Sequence, residues 1–251
     1  MTAARSRRTA ARVKLPAAAV FDWDGTLVDT LSLIYRANVT VLGELGITMS
    51  RAWFRAQYSP DWRRGYEELG VPEHLWARTS ERWAEEMGRM RPKALPWARG
   101  ALRRLRANGV RLGLVTASTR GVVEPNLERL NMTGLFEVAW YADDVARTKP
   151  DPEALLRALD ELRIAAADTV YIGDTTVDYE MALAAGAPFA AVAGTTTVAA
   201  FRAAGVERVW SGVGAWADEL LGIRTGAADR RPAHAPNGSS SPGSSGGPTR
   251  G

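Results

Sequence analysis

The sequence predicts an α/β fold, in which a doubly wound, Rossmann-like parallel sheet is interrupted by an inserted α-helical domain. Short apolar runs alternate with segments whose apolar residues recur at helical spacing. Several of the runs are apolar on both faces, which is typical of parallel strands covered by helices on each side. One long interval, residues 30–95, has no such run. The pattern therefore indicates repeated β–α units with one helical insertion.

Six apolar runs predict the strands of the sheet, and amphipathic segments between them predict the helices. The strand runs are AAAVF (17–21), VRLGLVT (110–116), FEVAWYA (136–142), DTVYIG (168–173), PFAAVAG (188–194) and VERVW (206–210). The helical segments include GALRRLRANG (100–109), PNLERLNMTG (125–134) and DPEALLRALDELRI (151–164), and several of them end at Gly or Asn.

The insertion reads as several amphipathic helices, including LSLIYRANVTVLGELG and VPEHLWARTSERWAEEMGRM. Its aromatic residues are expected to fill a small core rather than to bind substrate, because such rings dominate the energetics of small cores. They are Trp53, Trp62, Trp76 and Trp83, with Trp97 at the exit. For Arg63 and Arg64 we favour a solvated face over contact with an anionic substrate.

The predicted organisation has four parts. The core comprises residues 16–29 and 96–224, and the helical insertion comprises residues 30–95. A basic tail, which is predicted to be disordered, covers residues 1–15, and a Gly/Ser/Pro-rich tail covers residues 225–251. The second tail holds almost no large apolar side chain, so it is predicted to be disordered.

The net charge of +4 belongs to the ends of the chain: residues 1–15 carry +5 and residues 224–251 carry +3, which leaves −4 between them. A folded basic face is therefore not indicated, and no nucleic-acid partner is expected. Contact of the Arg-rich tail with nucleic acid or an anionic membrane is a less favoured alternative.

The residue types available restrict the metal chemistry. The chain has no cysteine and two histidines, His74 and His234. Disulfides and thiolate sites are excluded, and a histidine site is implausible. A metal would be held by oxygen atoms, which favours Mg²⁺.

No apolar run approaches 18 residues, so no membrane span is predicted. The N-terminus superficially resembles a transit peptide but lacks the apolar segment of a secretory signal. A cytoplasmic protein is expected.

Polar residues follow the predicted strands, at the edge where ligands bind in an open parallel sheet. They are Asp22 and Asp24, then Thr116 and Ser118, then Lys149, and finally Asp174 and Asp178. Carboxylates gathered at one edge raise one another's pKa values unless a cation joins them. A magnesium ion would relieve this repulsion and leave room for phosphate oxygens. The residues therefore predict a phosphoryl-transfer site.

Four ordered segments resemble the motifs of the haloacid dehalogenase superfamily: FDWDGTLVDT (21–30), LVTAS (114–118), RTKPDP (147–152) and IGDTTVDYEMALAAG (172–186). The resemblance spans roughly residues 17–222, and the insertion lies where the C1-type helical cap of this superfamily belongs. It implies a phosphatase similar to the phosphoglycolate phosphatase branch.

The resemblance also implies a role for each site residue. Asp22 would be the nucleophile that forms an aspartyl phosphate, and Asp24 would be the general acid and base, with its backbone carbonyl on the metal. Thr116 and the amide of Ala117 would hold phosphoryl oxygens. Lys149 would offset the charge of nucleophile and phosphate. Asp174 would bind Mg²⁺ together with Asp22. Asp178 would orient metal-bound water or Lys149 from outside the ligand sphere.

Other residues of these segments are given structural roles. Gly25 and Thr26 fit a tight turn leading into a movable flap. Asp29, Asp143, Asp144 and Asp151 are expected to be helix caps or turn formers. Trp23, between the two catalytic aspartates, is expected to point away from them and to pack in the core.

Three functions are compatible with these residues. The favoured one is a Mg²⁺-dependent phosphatase of a small phosphorylated metabolite, acting as a monomer or homodimer. The second is a sugar phosphomutase, which would share the core and differ in how the cap handles water and substrate. The third is a non-catalytic phosphate-binding or interaction protein, which would be expected to lose at least one of Asp22, Asp24, Lys149 or Asp174. All four are present.

Overall fold

A computed structural model describes residues 14–57 and 62–223. The predicted disordered tails lie outside these residues, except for Lys14 and Leu15. The strands are β1 Ala18–Phe21, β2 Val28–Asp29, β3 Lys93–Ala94, β4 Arg111–Val115, β5 Val138–Trp140, β6 Thr169–Gly173, β7 Phe189–Val192 and β8 Val209–Trp210. The helices are α1 Leu31–Glu44, α2 Arg51–Gln57, α3 Trp62–Glu68, α4 Trp76–Arg89, α5 Ala98–Ala107, α6 Arg120–Arg129, α7 Glu153–Leu162, α8 Thr176–Ala184, α9 Val198–Ala203 and α10 Val213–Leu220.

Six strands form one parallel sheet in the order β5-β4-β1-β6-β7-β8. Each lies within one of the six predicted apolar runs, and the α/β doubly wound prediction is confirmed. Strand β1 is central: Phe21 is paired with Leu114 of β4 on one side and with Ile172 of β6 on the other. The loops that follow these three strands therefore leave the sheet side by side.

Both faces of the sheet are buried, which explains why its strands are apolar without alternation. Ala19 and Phe21 point into a core shared with α5, α6 and α10, whereas Ala18 and Val20 point into a core shared with α7 and α8. Trp23 is fully buried in the first of these cores, as predicted.

A second, two-stranded sheet was not predicted. Strands β2 and β3 pair antiparallel where the chain enters and leaves the helical insertion. Helices α1 to α4 lie between them and share a separate apolar cluster. Two residues are too few to show the alternation that identifies a strand in a sequence. The domain boundaries at 29/30 and 95/96 stay a prediction.

The tryptophans of the insertion divide into two groups. Trp53, Trp76 and Trp83 pack against the apolar cluster of the insertion, as expected. Trp62 is 41% exposed and keeps an edge contact with Trp76, with ring centroids 6.1 Å apart. Trp97 is 68% exposed, so the expectation of a core position is wrong for it. Trp97 follows β3 and is the N-cap residue of α5, where its own backbone is left-handed (φ 65°). It lies outside the apolar cluster of the insertion.

Within residues 14–57 and 62–223, no helix has the length and apolar character needed to cross a membrane.

Candidate active site

The site forms where three neighbouring strands end. Asp22 follows β1, Thr116 follows β4 and Asp174 follows β6. The amide of Asp22 donates to the carbonyl of Ile172, so the chain leaves β1 still bonded to β6. The parallel register thus brings together residues that are far apart in the sequence, as predicted from the strand ends.

Lys149 joins two carboxylates at the centre of the site. Its ammonium nitrogen lies 2.6 Å from Oδ1 of Asp22 and 2.7 Å from Oδ1 of Asp178. The three side chains are 4%, 8% and 2% exposed, respectively. The loop between β5 and α7 carries Lys149, so the lysine reaches the site from the side of the sheet beyond Thr116.

Both carboxylate oxygens of Asp178 accept hydrogen bonds. Oδ1 accepts from Lys149, and it lies 3.2 Å from the Tyr171 hydroxyl, whose one hydrogen is shared with the Val115 carbonyl at 3.0 Å. Oδ2 accepts from the hydroxyl and the amide of Thr175, at 2.6 and 3.1 Å. This is a capping box, since Thr175 Oγ1 in turn accepts from the amide of Asp178 at the start of α8. The lone pairs of Asp178 are therefore largely used.

Asp174 is held from two loops. Its Oδ1 accepts from the Thr26 hydroxyl at 2.9 Å, and its Oδ2 accepts from the Thr195 amide at 2.6 Å. Gly25 and Gly194 lie so close that a Cβ atom at either would overlap the Asp174 side chain. Gly25 also has φ +77°, which an L-residue rarely adopts. The tight turn predicted at Gly25 and Thr26 thus forms one wall of the Asp174 site.

Asp24 points elsewhere. Its Oδ2 accepts from the Ser118 hydroxyl at 2.6 Å, and its side chain is not among the clustered carboxylates. Thr116 is buried, and its Oγ1 accepts from the amide of Ser118 at 3.0 Å. Its O–H hydrogen is thereby left for another acceptor. Ala117 lies between these two residues, in the loop that leaves β4.

Comparison with known proteins agrees with this arrangement. The sequence model of the family "Haloacid dehalogenase-like hydrolase" matches residues 19–192. The chain belongs to this family. A phosphoglycolate phosphatase of Cupriavidus necator is 34% identical over 189 residues, which cover 71% of this chain and 81% of that protein. The predicted family and enzyme class, a haloacid dehalogenase-like phosphatase similar to phosphoglycolate phosphatases, are confirmed.

Two solved structures resemble the fold. A protein from Bacteroides fragilis, named as a haloacid dehalogenase-like hydrolase, has a TM-score of 0.74 and 28% identity, covering 79% of this chain and 98% of its own. A protein from Thermotoga maritima, named as a β-phosphoglucomutase, has a TM-score of 0.62 and 25% identity, covering 82% and 97%.

Burial dominates the electrostatics of this hydrolase. Burial raises the pKa of Asp22 well above the usual value. The charge of Lys149 lowers this pKa by less than desolvation raises it, and the neighbouring carboxylates raise it further. Burial also raises the pKa of Asp24, although the hydrogen bond from the Ser118 hydroxyl lowers it. Burial and the charge of Asp178 raise the pKa of Asp174 to about 6.

Lys149 shows the opposite balance. Burial by itself lowers the pKa of its ammonium group, but the charges of Asp178 and Asp22 more than offset this, so the pKa is raised. The lysine therefore stays positively charged at neutral pH.

The carboxylates fit a divalent cation. Asp22, Asp174 and Asp178 each offer an oxygen, and these oxygens lie within 4.8 Å of one another. All the donors are oxygen, which suits Mg²⁺. Asp174 accepts one hydrogen bond on each oxygen, and Oδ2 of Asp22 accepts none from the described residues, so both retain lone pairs. The lone pairs of Asp178 are largely used by its hydrogen bonds, which favours a role outside the ligand sphere.

Three aspartates predicted as local caps or turn formers have those contacts. Asp143 accepts from the amide of Arg120 at the start of α6, 3.0 Å away. Asp144 accepts from the amide of Tyr141, and Asp151 accepts from the amide of Glu153.

Asp29 differs from the expectation of a helix cap. Thr30 is the N-cap residue of α1, and Asp29 lies in β2. Asp29 accepts only a long, 3.4 Å bond from the Ser32 hydroxyl among the described residues. The chain extends to pair with β3 at this point, which carries Asp29 out of the cap position.

Three site residues were missed. Thr195 follows β7, and applying the strand-end rule to that strand would have found it. Thr175 begins the segment TTVD, a readable capping signature. Tyr171 gave no signal, because it lies inside an apolar strand run. Arg63 and Arg64, in the insertion, make local contacts: Arg63 lies over the Trp62 ring at 4.7 Å, and Arg64 pairs with Glu68.

Proposed function

We propose that this hydrolase is a Mg²⁺-dependent phosphatase of a small phosphate monoester, phosphoglycolate-like or a sugar phosphate, that acts through an aspartyl phosphate on Asp22. The observation that carries the proposal is the hydrogen bonding of the two Asp22 carboxylate oxygens. One of its oxygens is held by Lys149 at 2.6 Å, and the other accepts no hydrogen bond from the described residues. Burial raises the pKa of Asp22, and Mg²⁺ together with Lys149 would keep it ionised, so that its free oxygen could attack an anionic phosphorus centre.

In the first step Asp22 attacks phosphorus, the Asp22–phosphorus bond forms and the bond to the leaving alcohol breaks. Lys149 offsets the charge that gathers on the phosphoryl group and Asp22. The Thr116 hydroxyl and the Ala117 amide donate to phosphoryl oxygens. Both follow β4, the strand next to β1, so they are placed beside the nucleophile.

Asp24 moves the protons. It donates one to the leaving alcohol in the first step and then accepts one from the water that attacks the aspartyl phosphate. A raised pKa suits the first role, because the carboxyl group must be protonated near neutral pH.

The side chains of Asp22 and Asp174 and the backbone carbonyl of Asp24 would hold Mg²⁺, with Asp178 orienting Lys149. When bound, the ion neutralises carboxylate and phosphate charge that would otherwise repel. Asp174 is prepared for this by its bonds from Thr26 and Thr195, which fix the carboxylate plane.

The substrate class rests on the relatives. The Cupriavidus necator protein named above is a phosphoglycolate phosphatase, and its identity to this chain supports a small anionic phosphate ester. Residues 30–95 are proposed to act as the cap that covers it. The cytoplasmic location and the monomeric or homodimeric state stay predictions.

The test uses the purified full chain. With p-nitrophenyl phosphate and then phosphoglycolate, phosphate release is expected with Mg²⁺ and is expected to be lost with a chelator. Asp22→Asn is expected to abolish turnover, whereas the matched control Asp29→Asn, at an exposed position of β2 seven residues on, is expected to retain it. Full activity in Asp22→Asn would refute the proposal.

A sugar phosphomutase is the second candidate, because the Thermotoga maritima relative is named as a β-phosphoglucomutase. Incubation with a hexose 1-phosphate separates the two functions. Accumulation of the 6-phosphate without free phosphate would favour the mutase, and stoichiometric free phosphate would favour the phosphatase.

A further inference from the structure

We propose that Ser118 is a positioning residue for Asp24, holding one carboxylate oxygen so that the other faces the leaving alcohol. The proposal rests on the phosphatase function given above. Its basis is the 2.6 Å bond from the Ser118 hydroxyl to Oδ2 of Asp24, between residues 94 positions apart. A hydroxyl has one hydrogen to donate, and here it is directed at the carboxyl group.

The backbone of Ser118 is fixed on both sides. Its amide donates to Oγ1 of Thr116 at 3.0 Å, and its carbonyl accepts from the amide of Ala142 at 3.1 Å. These two bonds fix the position of the Ser118 backbone and the direction of its Cα–Cβ bond. One staggered χ1 rotamer then brings the hydroxyl to Asp24, and the 2.6 Å bond holds it there.

The loop that holds Ser118 is braced by the turn at residues 142–144. Asp143 accepts from the Arg120 amide at 3.0 Å, and Asp144 accepts from the Arg120 guanidinium at 2.8 and 2.9 Å. These bonds tie the loop after β5 to the loop after β4. The Ser118 carbonyl also accepts from Ala142 in this turn, so the loops after β4 and β5 together hold the backbone of Ser118.

The arrangement assigns different tasks to the two oxygens of Asp24. Oδ2 is held as an acceptor by Ser118. Oδ1 is then the oxygen that carries the proton: it passes the proton to the alcohol as the phosphorus–oxygen bond breaks, and it later takes one from water. Without the Ser118 hydroxyl, the carboxyl group can rotate and its proton is presented correctly for less of the time.

The experiment compares two esters that differ in their need for an acid. An aryl phosphate such as p-nitrophenyl phosphate releases a stable anion and needs little protonation, whereas an alkyl phosphate such as phosphoglycolate needs it. In Ser118→Ala, kcat/KM for the alkyl ester is expected to fall by about 10–100-fold, a part of what general acid catalysis supplies. The aryl ester is expected to fall by less than about 3-fold, which a loss of folded protein would not produce.

Two further variants make the result decisive. Ser118→Thr keeps the hydroxyl and is expected to restore most of the alkyl activity, whereas Thr119→Ala, a neighbour with no side-chain cap bond, is expected to resemble wild type. In an Asp24→Asn background, Ser118→Ala is expected to cost nothing further, because the two residues act as one unit.

Equal losses on both esters, or additive losses in the double variant, would overturn the role of Ser118 and leave the phosphatase function standing. Absence of Asp22-dependent turnover in the wild-type chain would overturn both. Thermal melting of each variant identifies any loss that comes from unfolding.

Discussion

The ammonium nitrogen of Lys149 lies 2.6 Å from Oδ1 of Asp22, although 127 residues separate them and both side chains are nearly inaccessible. The same nitrogen lies 2.7 Å from Asp178. One positive charge thus serves two buried carboxylates, and its removal leaves both unpaired.

Lys149→Met is therefore expected to reduce both activity and stability. Removing one partner of a buried ion pair costs about 3–5 kcal/mol, because the other charge remains desolvated. Turnover is expected to fall at least about 100-fold, since the phosphoryl charge loses its counterion. Denaturant unfolding and steady-state kinetics measure the two effects. The control is Arg147→Ala, whose exposed pair with Asp151 in the same loop contributes little. A variant as stable as wild type would contradict the buried-charge argument.

The stability of the metal-free protein is expected to fall as the pH rises through the range from about 4 to 6. The folded-state pKa of Asp174 is about 6, against a usual value of 3.8, so the folded state holds a proton that the unfolded state has lost. The shift corresponds to at most about 3 kcal/mol, lost between those two values.

Mg²⁺ is expected to reverse this trend, because it replaces the proton on the carboxylates. The rise in melting temperature on adding Mg²⁺ should be larger at about pH 7.5 than at about pH 5. Calorimetry at both pH values tests this expectation, with Asp174→Asn as the variant that loses most of the response. An equal rise at both pH values would show that these carboxylates do not hold the ion.

Gly25→Ala is expected to destabilise the protein more than an ordinary substitution at a left-handed glycine. Gly25 has φ +77°, and its new Cβ would overlap the Asp174 carboxylate. The matched control is Gly109→Ala, where φ is +83° and nothing lies within 4 Å. The control should lose about 1 kcal/mol from backbone strain alone. Gly25→Ala should lose roughly twice that or more, and Mg²⁺ binding should weaken with it. Equal losses of unfolding free energy in the two variants would mean that the Asp174 side chain can move to accommodate the new Cβ atom.

Much of the site could be predicted because its residues end strands. Asp22, Thr116 and Asp174 each follow an apolar run, and a parallel sheet aligns the ends of its strands. The rule requires no knowledge of distance, since strand order alone makes these residues neighbours. The predicted site residues follow four strands, β1, β4, β5 and β6, and none follows β7, which is why Thr195 was missed.

The sequence by itself determined the order of β–α units, the helical insertion, the oxygen-only character of any metal site and the aspartates that follow the strands. These follow from local periodicity and residue type, which do not depend on how the chain closes on itself. Only the tertiary structure decided which partner each side chain takes. It placed Lys149 between Asp22 and Asp178, it turned Asp24 toward Ser118, and it set Tyr171 beneath Asp178. Hydrogen bonds depend on tenths of an ångström between distant segments, and spacing along a chain carries no such information.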